Sequence, residues 1–339
     1  MLKTKMETQP RNIKVVDLFS GCGGLSLGIQ NAGFDVIAGF DNWELAINVY
    51  QQNFKHQAFL ADLGNLQGQF DMIKRFNPDI IAGGPPCQDF SSAGKRDESL
   101  GRGDLTISFA QIVSVIKPRF FIMENVDRFV KSTKYKEAKK IFQSANYGLS
   151  EKILRASLCG VPQSRKRFFW LGELDGEDRK IEPYLENNLA SQPLTVRQYF
   201  NSIGKALNVE HYYRHPRSYK RRGVFSVDEP SPTVRGVNRP IPKTYKHHPG
   251  DSALVSSNVR PLTTLERSYI QTFPDDFLFE GSKTELEQLI GNAVPVKLAE
   301  YVARCLAQYI EYPDVNVSKE DVRVEQVGES FIQLSLIDV

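Results

Sequence analysis

Three short stretches of this chain carry residues suited to chemistry. "GGPPCQDFSSAGKR" (83–96) sets Cys87 behind two glycines and two prolines and ahead of a polar run. Prolines there stiffen the backbone and aim the thiol, which makes Cys87 a candidate nucleophile. "MENV" places Glu124 and Asn125 at the end of an apolar run, where a carboxyl is unfavourable unless it has a partner or a task. A thiol and a carboxylic acid at the ends of neighbouring strands would form a nucleophile and proton donor. "VVDLFSGCGGLSLG" (15–28) brings Asp17, Gly21, Gly23 and Gly24 to a strand–helix junction, and Asp41 follows about twenty residues on. Glycines at such a junction let a ligand approach the backbone, the helix start offers free N–H groups, and the second acid can accept from ribose hydroxyls. The pattern is GxGG with an acid upstream, not GxGxxG. A carboxylate at that mouth repels pyrophosphate and suits a cation, so S-adenosylmethionine fits better than NAD. Each stretch also has a plainer reading: a buried structural thiol, a helix cap and a helix-packing turn.

The elements that must position these residues alternate in type. Strands are predicted at 13–19, 34–40, 57–62, 79–84 and 119–125, with helices at 24–32, 43–53, 65–76 and 105–117 between them. That rhythm predicts βαβ units in a parallel sheet, extended by strands at 149–156 and 166–172. Cys87 and Glu124 then fall at the carboxyl ends of strands, where open α/β sheets bind ligands. After Gly172 the rhythm breaks into a stretch rich in Pro, Tyr, His, Arg and Asn, and helical signals return at 263–272 and 294–312. The division expected is a tail (1–12), a catalytic and cofactor-binding domain (13–172), a smaller irregular, mostly β domain (173–259), a returning segment (260–312) and an extension without an assignable role (313–339).

Composition narrows the classes. The 339 residues, 41% of them hydrophobic, suffice for a full globular core. No apolar run is long enough to span a membrane and the first dozen residues are too polar for a signal peptide, so a cytoplasmic location is expected. Cys22, Cys87, Cys159 and Cys305 are far apart, with no CxxC pair and no Cys/His cluster, which argues against disulfides and against a metal site. A net charge of +3 does not announce a polyanionic partner, but "HYYRHPRSYKRRG" (211–223) holds five Arg or Lys and three Tyr with no acid. That interleaving suits phosphate and base contacts.

The ordered series "DLFSGCGG", "GGPPCQDFSSAG", "MENV", "GVPQSRKRFFWLG", "RPLTTLERSYIQTFPDDF" and "IGNAVPVKLA" closely resembles the DNA (cytosine-5-)-methyltransferases, over residues 13 to about 305. The resemblance implies a Rossmann-like α/β sheet with helices on both faces, a target-recognition domain in the insert, and methylation of cytosine in duplex DNA by S-adenosylmethionine. It assigns Cys87 as the thiolate that attacks C6, Glu124 as the acid at N3, and Arg165 as the supporting cation. Asp17, Phe19, Gly21, Gly23, Asp41, Asp62, Pro85, Asn292 and Val294 would meet the cofactor. Gln88, Ser91, Arg96, Arg167, Arg214, Arg217, Arg221, Arg222, Thr233 and Arg235 would meet DNA, with 91–104 as a lid over a flipped base. The implied setting is a type II restriction–modification pair, with the enzyme a monomer needing no obligate protein partner.

The chain departs from the family's pattern at three places. Leu265 and Tyr269 stand where arginines are usual, and Asn42 stands at the aromatic position beside the ribose acid, with Trp43 one place later. Competing readings are a tRNA cytosine-5 methyltransferase, a catalytically silent DNA-binding subunit and an NAD-dependent oxidoreductase. The insert lacks the Cys-Phe-Thr segment of the first, the intact Cys87, Glu124 and Arg165 argue against the second, and the third would need the full GxGxxG.

Overall fold

A computed structural model describes residues 12–66, 68–86, 105–218, 220–256 and 258–313. The apolar runs form a seven-stranded sheet: β1 (Lys14–Leu18), β2 (Asp35–Asp41), β3 (Gln57–Leu60), β4 (Ile80–Gly83), β5 (Phe120–Val126), β6 (Tyr147–Arg155) and β7 (Lys166–Leu174). Their order is β3-β2-β1-β4-β5-β7-β6, so the chain steps outward from β1 to β3, returns to the other side of β1 with β4, and opens a crevice between β1 and β4. β1 to β5 pair in parallel, as the alternation predicts, whereas β7 runs antiparallel to both β5 and β6. A short connection of ten residues joins β6 to β7 and leaves no room for a crossover helix, which forces that reversal.

Successive strand residues serve opposite faces. Val15, Phe120 and Ile122 join the core beneath α1 (Gly24–Asn31), α6 (Glu182–Asn187) and α10 (Val296–Glu311), while Val16, Phe121 and Met123 join the core beneath α3 (Gln69–Lys74), α4 (Leu105–Ile116) and α5 (Thr133–Ser144). Helices thus cover both faces, with α2 (Glu44–Asn53) beside β3. α5 was not among the predicted helices because only Ala138 and Phe142 of its residues are buried; its start is marked by Ser132, whose side chain accepts from Tyr135 N.

The returning helix α10 docks on α1 through a glycine. A Cβ at Gly28 would lie 2.5 Å from Ala299 Cβ and 2.5 Å from the Val296 carbonyl oxygen, so only glycine permits this approach. Gly28→Val is therefore expected to destabilise the fold by about 1–3 kcal/mol. Urea unfolding monitored by circular dichroism measures this, and an unchanged midpoint would remove the argument.

The stretch after Gly172 is not uniformly β. α6 places Tyr184 and Leu185 in the main core, and α7 (Val196–Ser202) starts from a reciprocal cap between Thr195 and Gln198. A small sheet follows, β8 (His211–Tyr213) between β9 (Val224–Ser226) and β10 (Arg260–Pro261), the last strand coming from the returning segment. Its core includes Phe200, Tyr212 and Phe225 and is completed by Tyr269 and Ile270 of α8 (Thr264–Ile270) and Ile290 of α9 (Lys283–Asn292). Tyr269, at an arginine's usual place, packs edge-on to Phe200, and its hydroxyl donates to Asp275. Arg267, two residues earlier, is buried and pairs with Glu287 of α9.

Candidate functional site

The glycine turn after β1 makes a cradle. Gly21 and Gly23 have φ of 53° and 93°, the left-handed region that glycine adopts freely, and Phe19 is held there too, at φ 58°. A non-glycine residue in that region marks a conformation imposed by its surroundings. Asp41 fastens the turn: its Oδ2 accepts from Gly21 N at 2.8 Å and its Oδ1 from Trp43 N at 2.9 Å. Burial raises the Asp41 carboxyl above its ordinary range, opposed by these N–H bonds. A Cβ on Gly21 would meet nothing within 4 Å among the described residues, so that edge of the turn is open to them.

Asp17 lies beneath this turn, fully buried. Its Oδ2 accepts from Ser26 Oγ at 2.5 Å, and its Oδ1 has no hydrogen-bond partner among the described residues. Val294 closes the cradle from the returning segment: its carbonyl oxygen would be 2.3 Å from a Cβ on Gly24, and its Cγ2 3.9 Å from a Cβ on Gly84. Asp62 is exposed, and its Oδ1 accepts from Gly64 N at 3.0 Å, which caps a turn. Asn42 is exposed, while Trp43 packs partly on the cluster of Phe54, Phe273 and Phe277. An open glycine edge, acids at the ends of β1 and β2 and an unpaired buried carboxylate oxygen fit a cationic nucleoside such as S-adenosylmethionine.

The acid of "MENV" sits at the far side of the crevice. Glu124 is 8% exposed, and its Oε1 lies 2.6 Å from Nε of Arg167. Its Oε2 would be 3.5 Å from a Cβ on Gly84, beside the start of the Gly-Pro-Pro loop. Asn125 ties that loop to the sheet, donating from Nδ2 to the Pro85 carbonyl at 3.2 Å. Cys87, Gln88, Ser91 and Arg96 lie outside the described residues.

Arg165 and Arg167 divide their tasks. Arg167 pairs with Glu124, whereas Arg165 is 2% exposed and donates from Nη1 to the carbonyls of Val234 and Gly291, each at 3.3 Å. Burial, then the neighbouring Arg167, lowers the Arg165 pKa well below its ordinary value, with Glu124 opposing. Two guanidinium groups around one carboxylate leave the mouth of the crevice with a net positive charge.

That mouth opens into a cleft of about 800 Å³ between the large sheet and the small one. Among the described residues, nine Arg or Lys line it against a single acid, Asp127. Thr233 and Asn292 line it too. Of the insert's arginines that line the cleft, Arg217 and Arg221 are exposed and have no acidic partner among the described residues. The others also serve the fold: Arg214 donates from Nη2 to the Thr233 carbonyl at 2.8 Å, Arg235 donates to the His215 carbonyl, and Arg222 pairs with Glu229 and lies over the Phe225 ring. Among the described residues no group of three or more His, Cys, Asp or Glu could hold a metal ion, and no helix is long and apolar enough to cross a membrane.

The sequence pattern of the C-5 cytosine-specific DNA methylase family matches residues 13–308, most of the chain and both halves of the crevice. The chain belongs to this family. The DNA cytosine-5 methyltransferase is 55% identical over 312 residues to the Type II methyltransferase M.HindV of Haemophilus influenzae, covering 92% of this chain and 99% of that protein. It is 54% identical over 301 residues to the Type II methyltransferase M.HgiDI of Herpetosiphon aurantiacus, covering 89% and 96%. Among solved structures, an E. coli prophage protein described as a DNA modification methyltransferase superposes with a TM-score of 0.63 at 25% identity, covering 88% of this chain and 100% of that one. The Dnmt2 methyltransferase of S. pombe shares the fold, with a TM-score of 0.64 at 18% identity, covering 89% and 100%.

The methyltransferase also holds two buried amides that the motifs did not single out. Gln163 accepts from Val234 N at 3.0 Å and donates to Gln271 Oε1 at 2.7 Å; Gln271 donates onward to the carbonyls of Ile290 at 2.7 Å and Ala293 at 2.9 Å. Both side chains are fully buried, and each of their polar atoms has a partner. They lock the wall of the basic cleft to the segment carrying Asn292 and Val294. The available signal was an amide inside an apolar motif, where burial demands partners.

Proposed function

We propose that this methyltransferase modifies C5 of a cytosine flipped out of a specific duplex DNA sequence, with S-adenosylmethionine as methyl donor, and thereby protects host DNA in the cytoplasm from a cognate restriction enzyme. The observation that carries the reading is Glu124, clasped by Arg167 at 2.6 Å at the head of the nine-cation cleft and beside the loop that leads to Cys87. Cys87 Sγ, as thiolate, bonds to C6, and the electron pair of the C5–C6 double bond shifts so that C5 becomes nucleophilic. Glu124 hydrogen-bonds N3 and supplies it with a proton, so that negative charge does not collect on the ring. Bound S-adenosylmethionine supplies an electrophilic methyl group. After C5 takes it, the C5 proton leaves to base, the C6–S bond breaks, the N3 proton returns to Glu124, and the thiolate of Cys87 is restored.

The remaining residues bind and orient. Asp41 accepts from ribose hydroxyls, Phe19, Gly21, Gly23 and Pro85 shape the cofactor cradle, Asp62 faces the adenine amino group, and Asn292 and Val294 close the pocket. Arg165 holds the insert against the crevice and contributes positive charge toward Cys87. Residues 173–259 read the sequence, with Arg217 and Arg221 as the free cations for phosphate. The enzyme acts as a monomer.

Incubation with S-adenosylmethionine labelled in its methyl group, with duplex DNA and tRNA offered separately, tests this directly. Label is expected in 5-methylcytosine of DNA, at one short sequence on bisulfite mapping. Label in tRNA alone would replace the DNA assignment.

A further inference from the structure

Beneath the glycine cradle, four side chains form an unbroken line. Asp17 Oδ2 meets Ser26 Oγ at 2.5 Å, Ser26 Oγ meets the Tyr50 hydroxyl at 2.7 Å, and that hydroxyl meets Nε2 of His56 at 2.7 Å. Asp17, Ser26 and Tyr50 are wholly buried, whereas His56 is partly exposed. The line crosses from β1 through α1 and α2 to the loop before β3 and ends at solvent. We propose that it is a proton relay through which Asp17 exchanges a proton with water, so that cofactor binding is proton-linked and favours a sulfonium over a thioether. This deepens the reading of the cradle as an S-adenosylmethionine site.

The groups between Asp17 and solvent can each donate and accept, which is what a relay needs. With Asp17 ionised, every bond points inward: His56 Nε2–H donates to Tyr50, Tyr50 to Ser26 and Ser26 to Asp17. A solvent proton added at Nδ1 of His56 shifts each proton one place along, from Nε2 to Tyr50, from Tyr50 to Ser26 and from Ser26 to Asp17 Oδ2. The bonds then all point outward, His56 is the Nδ1–H tautomer, and one negative charge has been neutralised. No heavy atom moves and no other reactant is needed.

The surroundings decide where the proton rests. Burial pushes the Asp17 carboxyl up to about 7, with Asp41 on β2 adding to the rise and the Ser26 bond opposing it. β4 offers only the uncharged Ala82 opposite Asp17. Burial pushes His56 down to about 4, with Asp35 opposing, and burial and Asp17 together raise Tyr50. His56 and Tyr50 are therefore conduits, and Asp17 is the store. A positive sulfonium beside Asp17 and Asp41 favours the ionised carboxylate and drives its proton out, which a neutral thioether does not.

Calorimetric titration of the full chain at pH 7, in buffers of different ionisation heat, with S-adenosylmethionine and with S-adenosylhomocysteine, tests the linkage. The two ligands differ only in the methyl group and the charge at sulfur, so the first is expected to release roughly half a proton more. Equal release overturns the proposal, whereas no binding of either ligand overturns the cofactor reading instead. Asp17→Asn should abolish the difference; its persistence would move the proton elsewhere. Tyr50→Phe keeps the ring and cuts the line, so proton release followed with a pH indicator should lag behind ligand binding, and release still in step with binding refutes the relay. The ligand-free protein gives another check. Because the folded-state pKa of Asp17 is raised from about 4 to about 7, the stability its proton contributes is lost as pH rises through that window. The Tm of Asp17→Asn should therefore gain on the wild type from about pH 5 to about pH 8, and a difference that stays flat with pH tells against a proton on Asp17.

Discussion

Replacing Cys87 with alanine is expected to reduce methyl transfer by at least about four orders of magnitude while leaving DNA affinity essentially unchanged. The ring of cytosine is a poor nucleophile at C5 until a group adds at C6, and no other side chain assigned to the site combines nucleophilicity with a readily lost proton. Cys22, Cys159 and Cys305 are all buried, and burial pushes each thiol up, Cys22 and Cys305 to about 12, so none of them can substitute. Cys87→Ser is a sharper variant, because its hydroxyl is far harder to deprotonate than a thiol with an ordinary pKa of about 8.5. Single-turnover transfer of labelled methyl, with DNA binding followed by anisotropy, makes the measurement. Transfer at even a tenth of the wild-type rate in the alanine variant would eliminate the covalent route.

Glu124→Gln is expected to lower kcat by about two to four orders of magnitude with little change in KM for DNA. Glutamine preserves size and can still hydrogen-bond N3, so the loss reports proton supply and charge rather than placement. It also leaves Arg167 without its 2.6 Å partner in a mostly buried site, and a lower Tm should accompany the kinetic defect. Arg167→Lys separates these effects, because it keeps the charge but loses the planar guanidinium that meets the carboxylate. A Glu124→Gln enzyme with wild-type kcat would show that N3 is protonated by another group.

Much of the sheet was legible because its strands announce themselves in two ways, by apolar runs and by the turn residues between them. Gly33 and Asn77-Pro78 punctuated the first half, and β1 to β5 with α1 to α4 appear where that punctuation places them. α5 escaped because its exposed face is dominated by lysines and its apolar stripe is thin. α9 escaped although Ser282 and Glu285 form a reciprocal cap, a signal that local sequence does carry. The two buried glutamines were harder to see, since an amide reads as a surface residue until its partners, up to 108 positions away, are known.

By itself the sequence determined the family and the residue types it brings to the candidate site: a cysteine behind two prolines, an acid ending an apolar strand, and a glycine turn with acids at β1 and β2. Only the tertiary structure decided which groups meet. β7 runs antiparallel beside β5, so Arg167, at its beginning, lies opposite Val126, next to the end of β5 that carries Glu124. Had β7 been parallel, the arginines would have opened at the opposite edge of the sheet, far from the acid. The same holds for the line from Asp17 to His56, whose members come from two strand–helix units and touch because α1 and α2 both pack against β2. Residue type and local order are encoded along the chain, but strand direction and helix packing are set by long-range burial, and these bring the charges together.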